Sequence, residues 1–140
     1  MLYVDASVWV ALCTNEPKAA SVIQWYAACT DDLASAASYV TEFASALGIK
    51  QRSGQLTKTQ AQTAWHQFER VCANDLQLLP VEAMMFHRAA ILTMDAYAGL
   101  RAGDALHLAC AMEAKAAGLV TLDAVLAKNA KRVNVKTVAI

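Results

Sequence analysis

The chain has 140 residues, 57% of them hydrophobic and 17% charged, with 12 Lys and Arg balanced by 12 Asp and Glu. This is enough apolar material for a single core-forming domain and excludes a disordered or fibrous chain. No apolar run of about 18 residues is free of charge, so no membrane span is expected, and the opening MLYVDASVWVALC lacks a basic n-region and carries Asp5 inside its apolar run, unlike a secretory signal.

Leu2-Tyr3-Val4 reads as a strand with Asp5 directly after it, and Ser7 begins a short apolar helix to about Cys13. Asn15-Glu16-Pro17 is a break and a helix start, followed by a buried face of Ala19, Val22, Ile23 and Tyr26. After the polar turn Thr30-Asp31-Asp32, Leu33 to Ala36 is a strand candidate and Ser38 a helix N-cap. The stripe Val40, Phe43, Ala44 and Leu47 follows, with Glu42 beside it, and ends near Gly54. Thr57 and Gln60 form a capping-box pattern ahead of Ala61, Ala64, Trp65, Phe68 and Val71 at helical spacing. Leu76 to Val81 is a third strand, with Pro80 suggesting a sheet edge.

Glu82 to about Ala98 is helical, and Gly99 and Gly103 loosen the chain before Asp104. Asp104 starts a helix whose face is Ala105, Leu108, Ala109, Met112 and Ala116, and Gly118 is placed to end it in a left-handed turn. Leu119 to Leu122 is a covered strand ending at Asp123, followed by a helix to about Ala130 and a last strand from about Lys136 to Ala139. Strands alternating with helices imply an α/β fold with a small parallel sheet and more helix than strand. Cys13, Cys29, Cys72 and Cys110 lie far apart without a CxxC pair and read as reduced core residues of a cytoplasmic protein.

Asp5 and Asp123 follow strands, and Asp104 and Glu42 sit near helix starts. In a parallel sheet all four can converge on the carboxyl edge, where ligands bind. Each aspartate taken alone is better explained as an N-cap. Capping gives no reason for three such residues at one edge with a glutamate beside an apolar stripe. Carboxylates crowded together need protons or cations; hard oxygen donors select Mg2+ or Mn2+ and, without suitably spaced His and Cys pairs, not zinc. One or two such ions polarise a phosphoryl oxygen and activate water, which is the chemistry of phosphodiester hydrolysis. Setting the four acids aside leaves 8 acidic against 12 basic residues, an excess suited to a polyanion.

YVDASVWVAL at the start, TEFASAL around Glu42, LRAGDALHLACA around Asp104 and LVTLD at Asp123 together resemble the PIN-domain family, and the compact length resembles its VapC-type toxins of type II toxin-antitoxin pairs. The resemblance runs over nearly the whole chain and implies one PIN-like domain over residues 1–140, with a three-layer α/β/α fold. It also implies a metal-dependent endoribonuclease in which Asp5, Glu42, Asp104 and Asp123 hold Mg2+ or Mn2+. Ser7 and Thr121 match positions that support such a cluster by hydrogen bonding. An RNA substrate, a cognate antitoxin and a homodimer are the implied partners.

Among the remaining residues, His107 reads as a packed helix histidine that could alternatively reach a phosphate. Arg101 can bind RNA phosphate or an antitoxin carboxylate, or be an ordinary surface arginine. Trp9, Trp25 and Trp65 fit core or interface packing, and Lys128, Lys131 and Arg132 a solvated helix end that can steer RNA. A haloacid-dehalogenase-like phosphatase would need an aspartate where Ser7 stands. A receiver-type switch would need an acidic pair after the first strand and a lysine after the last. The alternatives left standing are a non-catalytic PIN-like module that binds RNA or protein and a PIN-domain ribonuclease of general RNA processing.

Overall fold

The computed structural model describes all 140 residues. β1 (Leu2–Val4) is buried throughout, as its unbroken apolar sequence requires in a sheet covered on both faces. It is followed by α1 (Ala6–Cys13), α2 (Ala19–Ala28), β2 (Leu33–Ala36), α3 (Tyr39–Arg52), α4 (Lys58–Asn74) and β3 (Leu76–Leu79). The second half runs through α5 (Ala83–Met94), a 3-10 turn (Ala96–Ala98), α6 (Ala102–Glu113), β4 (Gly118–Val120), α7 (Ala124–Arg132) and β5 (Thr137–Val138). The strands form one parallel sheet in the order β3-β2-β1-β4-β5.

The chain winds outward from β1 to β2 and β3, then crosses back to place β4 on the other side of β1. Crossovers of one hand must then lay helices on opposite faces before and after the reversal. Leu2, Val4, Leu33, Leu76 and Val120 pack with residues of α1 to α4, among them Val8, Trp9, Val22, Tyr39, Phe43 and Phe68. Tyr3, Ala36 and Leu119 face the other way, onto α5, α6 and α7 through Ala89, Ala105, Leu108 and Leu126. The result is three layers, with a reversal between β1 and β4 of the kind that opens a crevice at the carboxyl ends of the strands.

Several boundaries differ from the sequence-based expectation. Gly118 begins β4 instead of ending α6, and the left-handed residue is Lys115, at φ 50°. A Cβ on Gly118 would come within 3.0 Å of Val138 Cγ2 and 3.3 Å of Leu2 Cδ2, so this glycine serves close strand approach. Thr121 and Leu122 consequently lie beyond the strand. Arg101, not Asp104, holds the N-cap position of α6, which puts Asp104 inside the first turn. Ser38 makes no capping bond, because its own backbone is already helical (φ −57°, ψ −24°), and its Oγ is buried without a partner. The helix from Glu82 breaks at Asp95, whose carboxylate caps the 3-10 turn through Tyr97 N–H. Ile23 and Ala44 are exposed, not buried, since each lies at the rim of its helix face.

The Thr57–Gln60 capping box is formed in both directions, and β3 is an edge strand with Pro80 just beyond it. All four cysteines are free, and burial pushes the Cys13 thiol up to about 12 and the Cys110 thiol to about 11, leaving both protonated and inert at neutral pH. No helix is long and apolar enough to cross a membrane.

Phe68 is fully enclosed and stacks on Phe43 with ring centroids 4.1 Å apart, with Tyr39 edge-on at 5.5 Å. Phe68→Ala leaves a cavity at the junction of α3 and α4 and is expected to cost about 3–5 kcal/mol of unfolding free energy, measured by urea denaturation.

Candidate active site

Asp5 follows β1 at the point where the sheet reverses, and its backbone N–H donates to Val120 O at 2.9 Å, tying β1 to the end of β4. Its side chain is buried, and one oxygen is heavily used. Oδ2 accepts Ser7 Oγ at 2.6 Å, Thr121 Oγ1 at 2.7 Å and, at the longer distance of 3.4 Å, Ser7 N–H. Oδ1 has no protein partner. The two hydroxyls are themselves held, since Leu122 N–H donates to Ser7 Oγ and Asp123 N–H to Thr121 Oγ1, both at 3.0 Å. A loop that the strand pattern treated as β-structure is thus a hydrogen-bonded collar around Asp5.

Asp123 caps α7, with Oδ1 accepting Leu126 N–H at 2.8 Å and Oδ2 unpartnered. Asp104 caps nothing. It stands in the first turn of α6, where the positive end of the helix dipole favours a carboxylate, and Arg101 Nε lies 4.0 Å from its Oδ2 on a side chain that is 88% exposed. Partial burial, then the neighbouring charges of Asp123 and Asp5, push its pKa above the ordinary aspartate value despite Arg101 and His107. Asp104 is thus the aspartate that feels the charges of the other two.

Glu42 joins the group by a different route. It lies in the first turn of α3, and its Oε2 meets His107 Nε2 at 2.9 Å while Oε1 has no partner. His107 is 1% exposed, and its Nδ1 is 2.8 Å from Tyr3 OH, which accepts Ala36 N–H at 3.0 Å. Burial alone would lower the His107 pKa, but the Glu42 hydrogen bond and the charges of Asp5, Glu42 and Asp104 outweigh it, and the pKa is raised. Sequence reasoning correctly packed His107 into the core and missed both partners. The available signal was an imidazole on an otherwise apolar helix face, because a buried ring nitrogen demands a hydrogen bond.

The donor set suits a hard divalent cation: the acids offer carboxylate oxygens, Asp5, Glu42 and Asp123 each have one oxygen anchored and one free, and no cysteine stands among them. The acids are not gathered tightly, for no group of three closes to the spacing of a formed metal site. Repulsion among like charges opposes that closure. Lys131 and Arg132 lie in the last turn of α7, a helix length of about 13 Å from Asp123, and Arg132 is paired with Asp95 at 2.8 Å.

The raised Asp104 pKa has a definite sign in stability. The native state holds the proton to higher pH than the unfolded chain, so stability falls as pH rises through the interval between the two values. Asp104→Asn removes this cost. Its thermal midpoint is expected to exceed the wild type's at pH 7, with the difference shrinking as the pH falls from the raised Asp104 value toward the ordinary aspartate value, as scanning calorimetry would show.

Comparison with known proteins agrees with this architecture. No curated protein matches the chain. Among solved structures, VapC20 of Mycobacterium tuberculosis, described as a sarcin-ricin-loop-cleaving toxin, superposes with a TM-score of 0.74 at 13% identity, covering 92% of this chain and 95% of that one. FitAcB from Neisseria gonorrhoeae gives 0.74 at 16% identity, with 99% and 97% covered. VapBC2 from Rickettsia felis, bound to a promoter DNA fragment, gives 0.65 at 19% identity, with 99% and 98% covered. At such identities these likenesses establish the shared fold. The family model described as PIN domain matches residues 2–132, nearly the whole length, and the chain belongs to the PIN domain family.

Proposed function

We propose that this chain is a Mg2+- or Mn2+-dependent endoribonuclease that hydrolyses RNA phosphodiester bonds and acts as the toxin of a type II toxin-antitoxin pair. The observation that carries the reading is the placement of Asp5, Asp104 and Asp123 at the β1/β4 reversal, with free carboxylate oxygens on Asp5 and Asp123 and a disturbed Asp104. Membership of the PIN domain family supports the nuclease, and toxin and toxin-antitoxin structures among the similar folds support the biological role.

Asp5, Glu42, Asp104 and Asp123 would hold the cation, which when bound supplies positive charge to the phosphate and activates water. The chain's own residues do the positioning. Ser7 and Thr121 fix the Asp5 carboxylate by gripping one oxygen, so only the other is presented. The α7 N-terminus fixes Asp123 in the same manner. Arg101, long and exposed beside Asp104, is placed to meet an RNA phosphate or, in the inhibited complex, an antitoxin carboxylate. Single-stranded or looped RNA is the favoured substrate because a splayed backbone reaches such an edge more easily than a duplex does.

A homodimer belongs to the same reading. Met84, Ile91 and Met94 are 68%, 72% and 83% exposed on one face of α5, and Tyr97 just beyond is 99% exposed. Large apolar side chains clustered in this way are uncommon on a monomer's surface. Light scattering is expected to give twice the 15.0 kDa chain mass, and Ile91→Asp to shift it toward the monomer.

Purified protein is expected to cleave RNA with Mn2+ or Mg2+ present and to stop in excess EDTA. Asp5→Asn and Asp104→Asn should each lower the rate by about 100-fold or more, and brief expression should slow growth for the wild type but not for Asp104→Asn. Sequencing 5′ ends of cellular RNA in that pair of strains identifies the target. Cleavage that survives EDTA contradicts the reading, and absence of Mn2+ binding at millimolar concentration favours a non-catalytic binding module.

A further inference from the structure

We propose that His107 is the positioning residue for Glu42, and that Tyr3, seated on the Ala36 backbone N–H, sets the tautomer with which it acts. The inference rests on reading Glu42 as one of the cation-holding acids. Its basis is an unbroken line of hydrogen bonds from β2 through β1 and α6 to α3: Ala36 N to Tyr3 OH at 3.0 Å, Tyr3 OH to His107 Nδ1 at 2.8 Å, and His107 Nε2 to Glu42 Oε2 at 2.9 Å.

The direction of this line follows from its two ends together. The Glu42 carboxylate accepts and the Ala36 N–H donates, so in the neutral ring Nε2 carries the hydrogen and the Tyr3 oxygen, accepting from Ala36, turns its own proton toward Nδ1. Burial raises the Tyr3 pKa well above its ordinary value and keeps that proton in place. A neutral imidazole that accepts at Nδ1 carries its hydrogen on Nε2, the atom that faces Glu42. Tyr3 and Tyr39 both stand edge-on to the imidazole at 5.9 Å, which restricts its plane.

Packing alone does not call for histidine here. Leu108, Cys110 and Ala111 are buried beside it on α6, and a leucine would fill such a seat without needing polar partners. The Glu42 side chain, by contrast, makes no other hydrogen bond and is 36% exposed, so without His107 its carboxylate would be free to swing into solvent. With His107 it presents Oε1 alone, as Asp5 presents Oδ1 and Asp123 presents Oδ2. A buried group that orients a ligating side chain in this way acts from behind the site, without touching substrate.

The test compares His107→Gln, whose amide can still donate, with His107→Leu, which fills the seat without a donor, and with Tyr3→Phe, which keeps the ring and loses the hydroxyl. Binding of Mn2+ alone is measured by electron paramagnetic resonance, and RNA cleavage by steady-state kinetics. His107→Leu is expected to weaken Mn2+ binding and lower kcat by about 10-fold or more with little change in KM. His107→Gln should recover most of both, Tyr3→Phe should fall between, and the His107→Leu loss should vanish in a Glu42→Gln background. In the metal-free wild type, at a pH where the ring is neutral, long-range 15N NMR should show the Nε2–H tautomer. Unchanged Mn2+ affinity in His107→Leu, equal losses in the Gln and Leu variants, additivity with Glu42→Gln, or an Nδ1–H tautomer each overturns the proposal. Should His107→Leu fail to fold, the Tyr3→Phe and NMR results decide it. A wild type that binds Mn2+ but leaves RNA intact overturns the nuclease reading alone, and the Mn2+ measurements still judge His107; one that binds no Mn2+ overturns both.

Discussion

The grip of two hydroxyls on one oxygen of Asp5 is the contact around which the acidic edge of this molecule is arranged. Ser7 comes from the first turn of α1 and Thr121 from the segment after β4, 116 residues away from Asp5 in sequence. Both donate to Oδ2, and the backbone N–H groups of Leu122 and Asp123 close the network by donating back to those hydroxyls. Hydrogen bonds to a buried carboxylate offset the cost of removing it from water. They also settle which oxygen is spent on the fold and which remains available.

That arrangement carries an electrostatic cost in one place. Asp104, Asp123 and Asp5 share an edge, and Asp104 carries the strain as a raised pKa. Helix N-termini relieve part of it, because α1, α6 and α7 all begin at this edge with their positive dipole ends beside a carboxylate. On the proposed reading, the remaining repulsion is what a divalent cation would remove. Proteins commonly tolerate such local cost where a site requires it, with the stability supplied elsewhere.

Here the elsewhere is the aromatic and aliphatic packing on both faces of the sheet. Trp9, Tyr39, Phe43 and Phe68 fill the layer beneath α1 to α4, and Leu108, Leu119 and Leu126 fill the opposite one. Two tyrosines couple these layers to the site. Tyr39 OH donates to Ala6 O at 2.7 Å, holding the start of α1 next to Asp5, and Tyr3 meets His107. Each is buried with its hydroxyl satisfied, as burial of a phenol demands. The acidic edge is consequently braced from the core.

Much of the architecture was legible along the chain. Apolar strands separated by helical periodicities determined the parallel α/β class, the Thr57–Gln60 capping box located α4, and Pro80 marked the edge strand, since each depends on interactions within a few residues. The four acids were also visible as a recurring pattern of carboxylates after strands and near helix starts. What local pattern cannot contain is the partner across the fold. Gly118 looked like a helix terminator until Leu2 and Val138 were found pressed against it, and Ser38 looked like a cap although its backbone had already turned helical. The Asp123 cap and the Thr121 hydrogen bond to Asp5 were expected, whereas only the tertiary structure showed that Asp104 caps no helix and that Glu42 is held through His107 and Tyr3. The Thr121, Glu42 and Tyr3 contacts join residues separated by 65 to 116 positions, and their formation depends on how β4 returns to the side of β1, a packing outcome of the whole chain.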